Sequence, residues 1–135
     1  ANSANAVWSG SGPDLAGALS DTTRSDIGER FERDAEAFLV QRGLTPVERN
    51  WRCRMGEIDL IMRDGETLVF VEVRKRDSQR FGGAASSIGR QKRERLERAI
   101  GLYLSGLNRT PPCRVDAVLF DSSRRAEWLR NIFGD

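Results

Sequence analysis

Apolar residues along this chain switch between helical and strand periods. Ile27, Phe31, Ala35, Phe38 and Leu39 recur at the spacing of one helix face, and Gly43 stands where a C-terminal cap belongs. Thr45 to Cys53 has a mixed strand pattern. Glu57 to Met62 and Thr67 to Val73 read as two more strands joined through Asp64-Gly65, a strong hairpin signal. From about Ile88 to Leu107 the helical period returns, with Leu96, Ala99, Ile100, Tyr103, Leu104 and Leu107 on one stripe. After Pro111-Pro112, Arg114 to Phe120 reads as a strand, and Trp128, Leu129, Ile132 and Phe133 mark a short terminal element covering a sheet edge. The order helix, three strands, helix, strand, end piece predicts an α/β domain, a mixed sheet flanked by helices. Residues 1–26 carry Ala, Ser, Gly and Asp without a sustained apolar period and read as a flexible tail, leaving 27–135 as the domain.

Composition removes more chemistry than it suggests. A chain of 135 residues can bury one core without disulfides or structural metal. No run approaches the ~20 apolar residues of a spanning helix. The first 26 residues contain neither a basic leader nor an apolar signal core, so the expected location is cytoplasmic. Cys53 and Cys113 belong to no CxxC pair and read as reduced thiols. There is no histidine, which excludes Ser-His-Asp catalysis, histidine-base nucleases and the common zinc hydrolase sites. Carboxylates, Lys, Arg and hydroxyls are what is left.

The net charge of +2 hides an uneven distribution. Val73 to Arg98 holds nine basic and three acidic residues, whereas Ala1 to Glu36 holds three basic and seven acidic. The basic block fits phosphate contacts and equally fits a solvated helix face with i,i+4 pairs such as Glu94 with Arg98.

The hairpin brings candidate chemistry together. If Asp64-Gly65 closes a two-residue turn, Asp59 faces Phe70, Glu57 faces Glu72, and Asp59, Glu72 and Arg74 share one sheet face. Asp59 and Glu72 would be diagonal neighbours roughly 7–8 Å apart, within reach of one cation. Crowded carboxylates raise each other's pKa, and Mg²⁺ or Mn²⁺, which take oxygen ligands, would relieve that conflict. The same spacing suits an exposed salt-bridge ladder in which Arg74 neutralises Glu57 and Glu72, and parity alone does not separate the two.

The segments GEIDLIMRDG (56–65) and VFVEVRKR (69–76), preceded by AEAFLVQRGL (35–44) and ERNWRCR (48–54), resemble the YraN family of bacterial proteins. That family lies in the restriction-endonuclease-like, PD-(D/E)xK, superfamily near archaeal Holliday-junction resolvases, and the match runs from about Gly28 to Phe133. The resemblance implies Asp59 and Glu72 as metal ligands, the Val73 carbonyl completing the shell, Glu36 as an additional acid, and Mg²⁺ or Mn²⁺ as cofactor. It further implies a nucleic-acid partner, DNA and by kinship with resolvases branched DNA, and it leaves a homodimer open.

One position departs from the superfamily pattern, which usually places lysine where this chain has Arg74. Arginine can grip phosphate bidentately but stays protonated and cannot act as a base. Lys75 should point to the opposite face. Lys92 lies four residues before Leu96 and starts on the side facing the sheet, so it either reaches the site or snorkels to solvent; Gln91 accompanies it. Arg74, Arg76, Arg90, Lys92 and Arg93 are the expected nucleic-acid contacts. Phe81-Gly82-Gly83 reads as a linker or substrate flap, Asp116 as the partner of an arginine, and Trp51 and Trp128 as core or edge cover. Three functions stay open: a metal-dependent nuclease, a non-catalytic nucleic-acid-binding module, and a protein-interaction domain.

Overall fold

The computed structural model describes residues 21–75 and 89–134, with side chains of the first helix from Gly28 onward. Its elements are α1 (Asp21–Gln41), β1 (Thr45–Cys53), β2 (Gly56–Asp64), β3 (Thr67–Lys75), α2 (Arg90–Ser105), β4 (Cys113–Phe120) and β5 (Ala126–Leu129). The five strands form one sheet in sequence order. β3 and β4 are parallel, as a connection carrying a helix allows, and every other neighbouring pair is antiparallel. The expected mixed sheet with helices packed on it is the fold observed.

Each helix buries its predicted stripe on a different layer of the sheet. Ala35 and Leu39 of α1 pack with Leu60, Met62, Val69, Val71, Val118 and Phe120. Leu96 and Ala99 of α2 pack with Ile58, Ile61, Leu68 and Phe70. Trp51 and Tyr103 join the second layer edge to face, their ring centroids 5.3 Å apart, so Trp51 serves the core.

Helix boundaries moved where no apolar residue marks them. α1 starts at Asp21 and not near Ile27, because apolar spacing reports only turns that meet the core. It ends in a Schellman cap: Gly43 at φ +102° donates to the Val40 carbonyl, and Leu44 donates to Leu39. α2 stops at Ser105, with Gly106 donating back to the helix, and leaves Leu107 exposed beyond the stripe it was assigned to. Its expected start at Ile88 and the Phe81-Gly82-Gly83 loop lie outside the described residues.

The hairpin register also differs from expectation. Asp64 pairs with Thr67, so Gly65 and Glu66 form the turn, and Gly65 at φ +62° supplies the positive φ that the first central position of a II′ turn requires. The shift is by an even number of residues, so the assignment of β3 residues to faces survives. It moves Asp59 from opposite Phe70 to the level of Glu72.

The terminal element pairs antiparallel with β4 as β5. Asp116, fully buried, ties it down: it accepts hydrogen bonds from the Arg114 guanidinium (3.0 Å), Trp128 Nε1 (2.9 Å) and the Asn131 amide (2.9 Å). Asp116 thus has the arginine partner expected of it, and Trp128 covers the sheet edge.

Candidate functional site

Two irregularities at one level of the sheet make a cleft. The β2–β3 ladder runs from Asp64↔Thr67 to Leu60↔Val71 and stops, while β1–β2 pairing continues to Cys53↔Gly56 and β3–β4 pairing to Lys75↔Phe120. β2 and β3 therefore part beyond Leu60. At the same level Asn50 on β1 adopts φ +58°, a left-handed conformation that asparagine tolerates, with its amide donating to Glu29 (3.1 Å). Alternation on β2 breaks there: Ile58 and Leu60, two residues apart, pack in opposite layers.

That break turns Asp59 toward α1, where it shares a hydrogen bond with Glu32. Glu72 keeps its regular position and meets α2, its Oε2 lying 2.8 Å from Lys92 Nζ and 3.4 Å from the Arg74 guanidinium. Asp59 and Glu72 thus do not share a sheet face as parity suggested. They converge because the strands separate, in an open cleft of about 380 Å³ lined by Glu32 of α1, Glu57, Asp59, Glu72 and Arg74 of the strands, and Lys92 of α2.

Electrostatics at the cleft are dominated by buried acids. Glu32, Asp59 and Glu72 are 8%, 9% and 2% exposed, too buried for a solvated ladder. Oxygens of Glu32, Glu57 and Asp59 lie within 4.8 Å of one another. Burial, then the charge and hydrogen bond of Asp59, then Glu57 and Glu29, push the Glu32 carboxyl up to about 9. Burial and the charge of Glu72 push Asp59 up to about 7, with Glu57 adding to the rise; the Val73 amide, donating to Asp59 Oδ2 at 2.9 Å, and Lys92 oppose it. Carboxyls at this separation share a proton near neutral pH or take a cation in its place. An all-oxygen donor set of this kind fits a hard divalent ion such as Mg²⁺ or Mn²⁺.

Other predicted positions are distributed unevenly. Glu36, one turn beyond Glu32, pairs with Arg49 at 3.6 Å and is not part of the cluster. Both acids lie toward the sheet side of α1, and only the turn nearer the strand gap reaches it; the acid within the Phe31–Ala35 stripe was the signal for Glu32. Glu57 does not face Glu72 but clusters with Glu32 and Asp59 and pairs with Arg52 at 3.3 Å. Val73 sits at the cleft through its amide, and Lys75, expected on the far face, also borders it. Lys92 reaches the site, so the snorkelling alternative does not hold. Arg93 is engaged by Glu97 at 3.1 Å and stacks over Phe133, which makes it the i,i+4 pair of this helix. Arg90 and Gln91 are exposed at the start of α2, and Arg76 lies outside the described residues.

A five-stranded mixed sheet whose central strands part around buried carboxylates, with a lysine and an arginine on the same acid, defines an α/β protein with a charged interstrand cleft. The chain belongs to the uncharacterised protein family UPF0102, the YraN family, whose model matches residues 31–120 and so spans the cleft. It is 56% identical over 115 residues to a UPF0102 protein of Cupriavidus metallidurans, covering 84% of each chain. It is 56% identical to a UPF0102 protein of Nitrosospira multiformis, over 78% of this chain and 91% of that one. A UPF0102 protein of Neisseria meningitidis is 48% identical, over 79% of this chain and 94% of its own.

Proposed function

We propose that the protein is a metal-dependent phosphodiesterase acting on DNA, with the cleft between β2 and β3 as its active site. The observation that carries this reading is the buried Glu32–Asp59 pair with Glu57 beside it, facing a Glu72 already engaged by Lys92. Burying acids together is costly unless a cation or proton compensates them. In this reading Asp59, Glu32 and Glu57 hold a Mg²⁺ or Mn²⁺ ion, with Glu72 and the Val73 carbonyl beside it. When bound, such an ion supplies an activated water and stabilises charge on the phosphate.

The chain's own residues would then divide the remaining work. Lys92, at 2.8 Å from Glu72, takes the place of the lysine that Arg74 displaces from β3. It orients the attacking water by hydrogen bonding, with Glu72 holding its ammonium in place. Arg74 binds the nonbridging phosphate oxygens and stays charged throughout. The Val73 amide fixes Asp59. The exposed basic start of α2, with Arg90, contacts the flanking backbone, and a cytoplasmic location gives access to DNA. Branched DNA is the substrate form that kinship with resolvases favours, and a homodimer would suit its symmetry.

A second reading draws on Arg74: a module that binds nucleic acid without cutting it, since the strand position of the usual lysine holds a permanent cation. One assay separates the two. Wild type, Glu72→Ala and Lys92→Ala are incubated with linear and four-way DNA in Mg²⁺ or Mn²⁺. Cleavage that falls about 10²-fold or more in Lys92→Ala, the scale of losing a group that positions a reactant, and vanishes in Glu72→Ala supports the enzyme. Salt-sensitive binding without cleavage in the wild type supports the module. Absence of binding at low salt removes both and favours a protein-interaction domain.

A further inference from the structure

A second hollow adjoins the acidic cleft at Glu57. It is a shallow, open depression of about 370 Å³ lined by Arg52, Arg54, Met55 and Glu57 of the β1–β2 hairpin and by Arg95 of α2. Glu57 also borders the acidic cleft, so the two depressions share a wall. Three arginines and one glutamate line it. Arg52 is balanced by Glu57 at 3.3 Å, which leaves two positive charges in excess. Arg54 and Arg95 are exposed and make no ion pair among the described residues.

The hairpin that carries these residues is fixed against α2. A methyl group built on Gly56 would already touch the Arg95 carbonyl at 3.4 Å, so the hairpin backbone and the helix are in close contact. Arg54, in the turn between β1 and β2, and Arg95 of α2 therefore sit on abutting backbone. Two exposed guanidiniums carried on abutting backbone, beside a carboxylate cleft, form a surface complementary to phosphates of one strand.

The geometry points to this hollow as a phosphate-binding subsite, in which Arg54 and Arg95 grip the nucleic-acid backbone next to the bond held in the cleft. This assignment rests on the nuclease reading for its partner and adds the direction in which the strand leaves: past Glu57 and over the β1–β2 hairpin. The phosphate-contact surface thereby extends beyond the strand–helix block of residues 73–98 to include the β1–β2 turn. Arg54 and Arg95 are positioning residues, outside the carboxylate cluster.

The test is the salt dependence of DNA binding, read by fluorescence anisotropy of a labelled duplex in Ca²⁺, with three double variants of the full chain. Arg54→Ala/Arg95→Ala should lower the slope of log K against log salt by about 2, near the ~0.9 expected per phosphate contact, and weaken low-salt binding at least tenfold. Arg54→Lys/Arg95→Lys, which keeps the charge, should restore the slope. Arg63→Ala/Arg109→Ala removes the same charge beside the β2–β3 turn and should leave the slope unchanged. All three variants should melt at the wild-type temperature, as exposed side chains permit. A wild type that binds, together with an unchanged slope in Arg54→Ala/Arg95→Ala, an equal loss in Arg63→Ala/Arg109→Ala or no restoration by lysine, overturns the subsite and leaves the nuclease reading standing. A wild type that does not bind at low salt overturns both.

Discussion

A carboxyl buried beside a second carboxyl keeps its proton to higher pH than it would in water, and Glu32 and Asp59 are in that position. Both have folded-state values raised above the ordinary ones, so their contribution to stability is fully present below about pH 4 and is lost as pH rises. For Asp59 the loss runs from 3.8 to about 7, and for Glu32 from 4.5 to about 9. In EDTA, thermal melts should therefore show the protein losing stability between pH 5 and pH 9. Glu32→Gln should flatten that fall and melt above wild type at pH 9, by more than about 1.4 kcal/mol, the worth of one pKa unit. A wild type that gains stability over this range would contradict the arrangement. Among single residues, the reach of Lys92 to the sheet was legible because helical spacing is local, whereas Asp59 and Glu72 meet through a strand separation that hairpin parity does not describe. Glu32 was not separable from Glu36, since residues four apart on a helix share a side. Its assignment needed the level of the strand gap, which no local pattern encodes.

At the scale of elements, β5 depends on Asp116 more than on its own four residues. A strand this short on a sheet edge gains little from its ladder, and Asp116 supplies bonds to Arg114, Trp128 and the Asn131 amide from a fully buried position. Asp116→Ala should cost about 3–5 kcal/mol in chemical denaturation, because it leaves the Arg114 guanidinium partly buried without its main counter-charge. A cost under about 1 kcal/mol would mean that β5 holds by itself. The elements themselves were readable from apolar periods, and Gly43 marked the end of α1 correctly. The hairpin register was not, because Asp64-Gly65 identifies a turn without saying which of its residues are central. Nor did the sequence pattern reveal the break at Ile58, Asp59 and Leu60, since all three are compatible with unbroken alternation and the left-handed Asn50 at the same level lies on the neighbouring strand.

For the whole molecule, the cleft couples its two helical layers. α1 brings Glu32 to one side and α2 brings Lys92 to the other, so an acid and a base from opposite layers meet at the strand gap. A cation bound there should stabilise the fold as a whole: at a hundred times its dissociation constant, by about 2.7 kcal/mol. Melts in Mn²⁺ or Mg²⁺ should rise more at pH 8 than at pH 5, where protons compete for the same oxygens, and the rise should disappear in Asp59→Asn. A wild-type melting temperature indifferent to either ion at both pH values would remove the metal site.

The hydrogen bond from Val73 to Asp59 has one more consequence. Most amides within a sheet bond to a backbone carbonyl and are blind to chemistry nearby, but this one ends on a titrating oxygen. Its proton resonance becomes a built-in spectator of the site: it should shift with the ionisation of Asp59 and shift again when an ion displaces the shared proton. The gap that interrupts the β-ladder thus gives spectroscopy a single nucleus from which the state of the whole cleft can be followed.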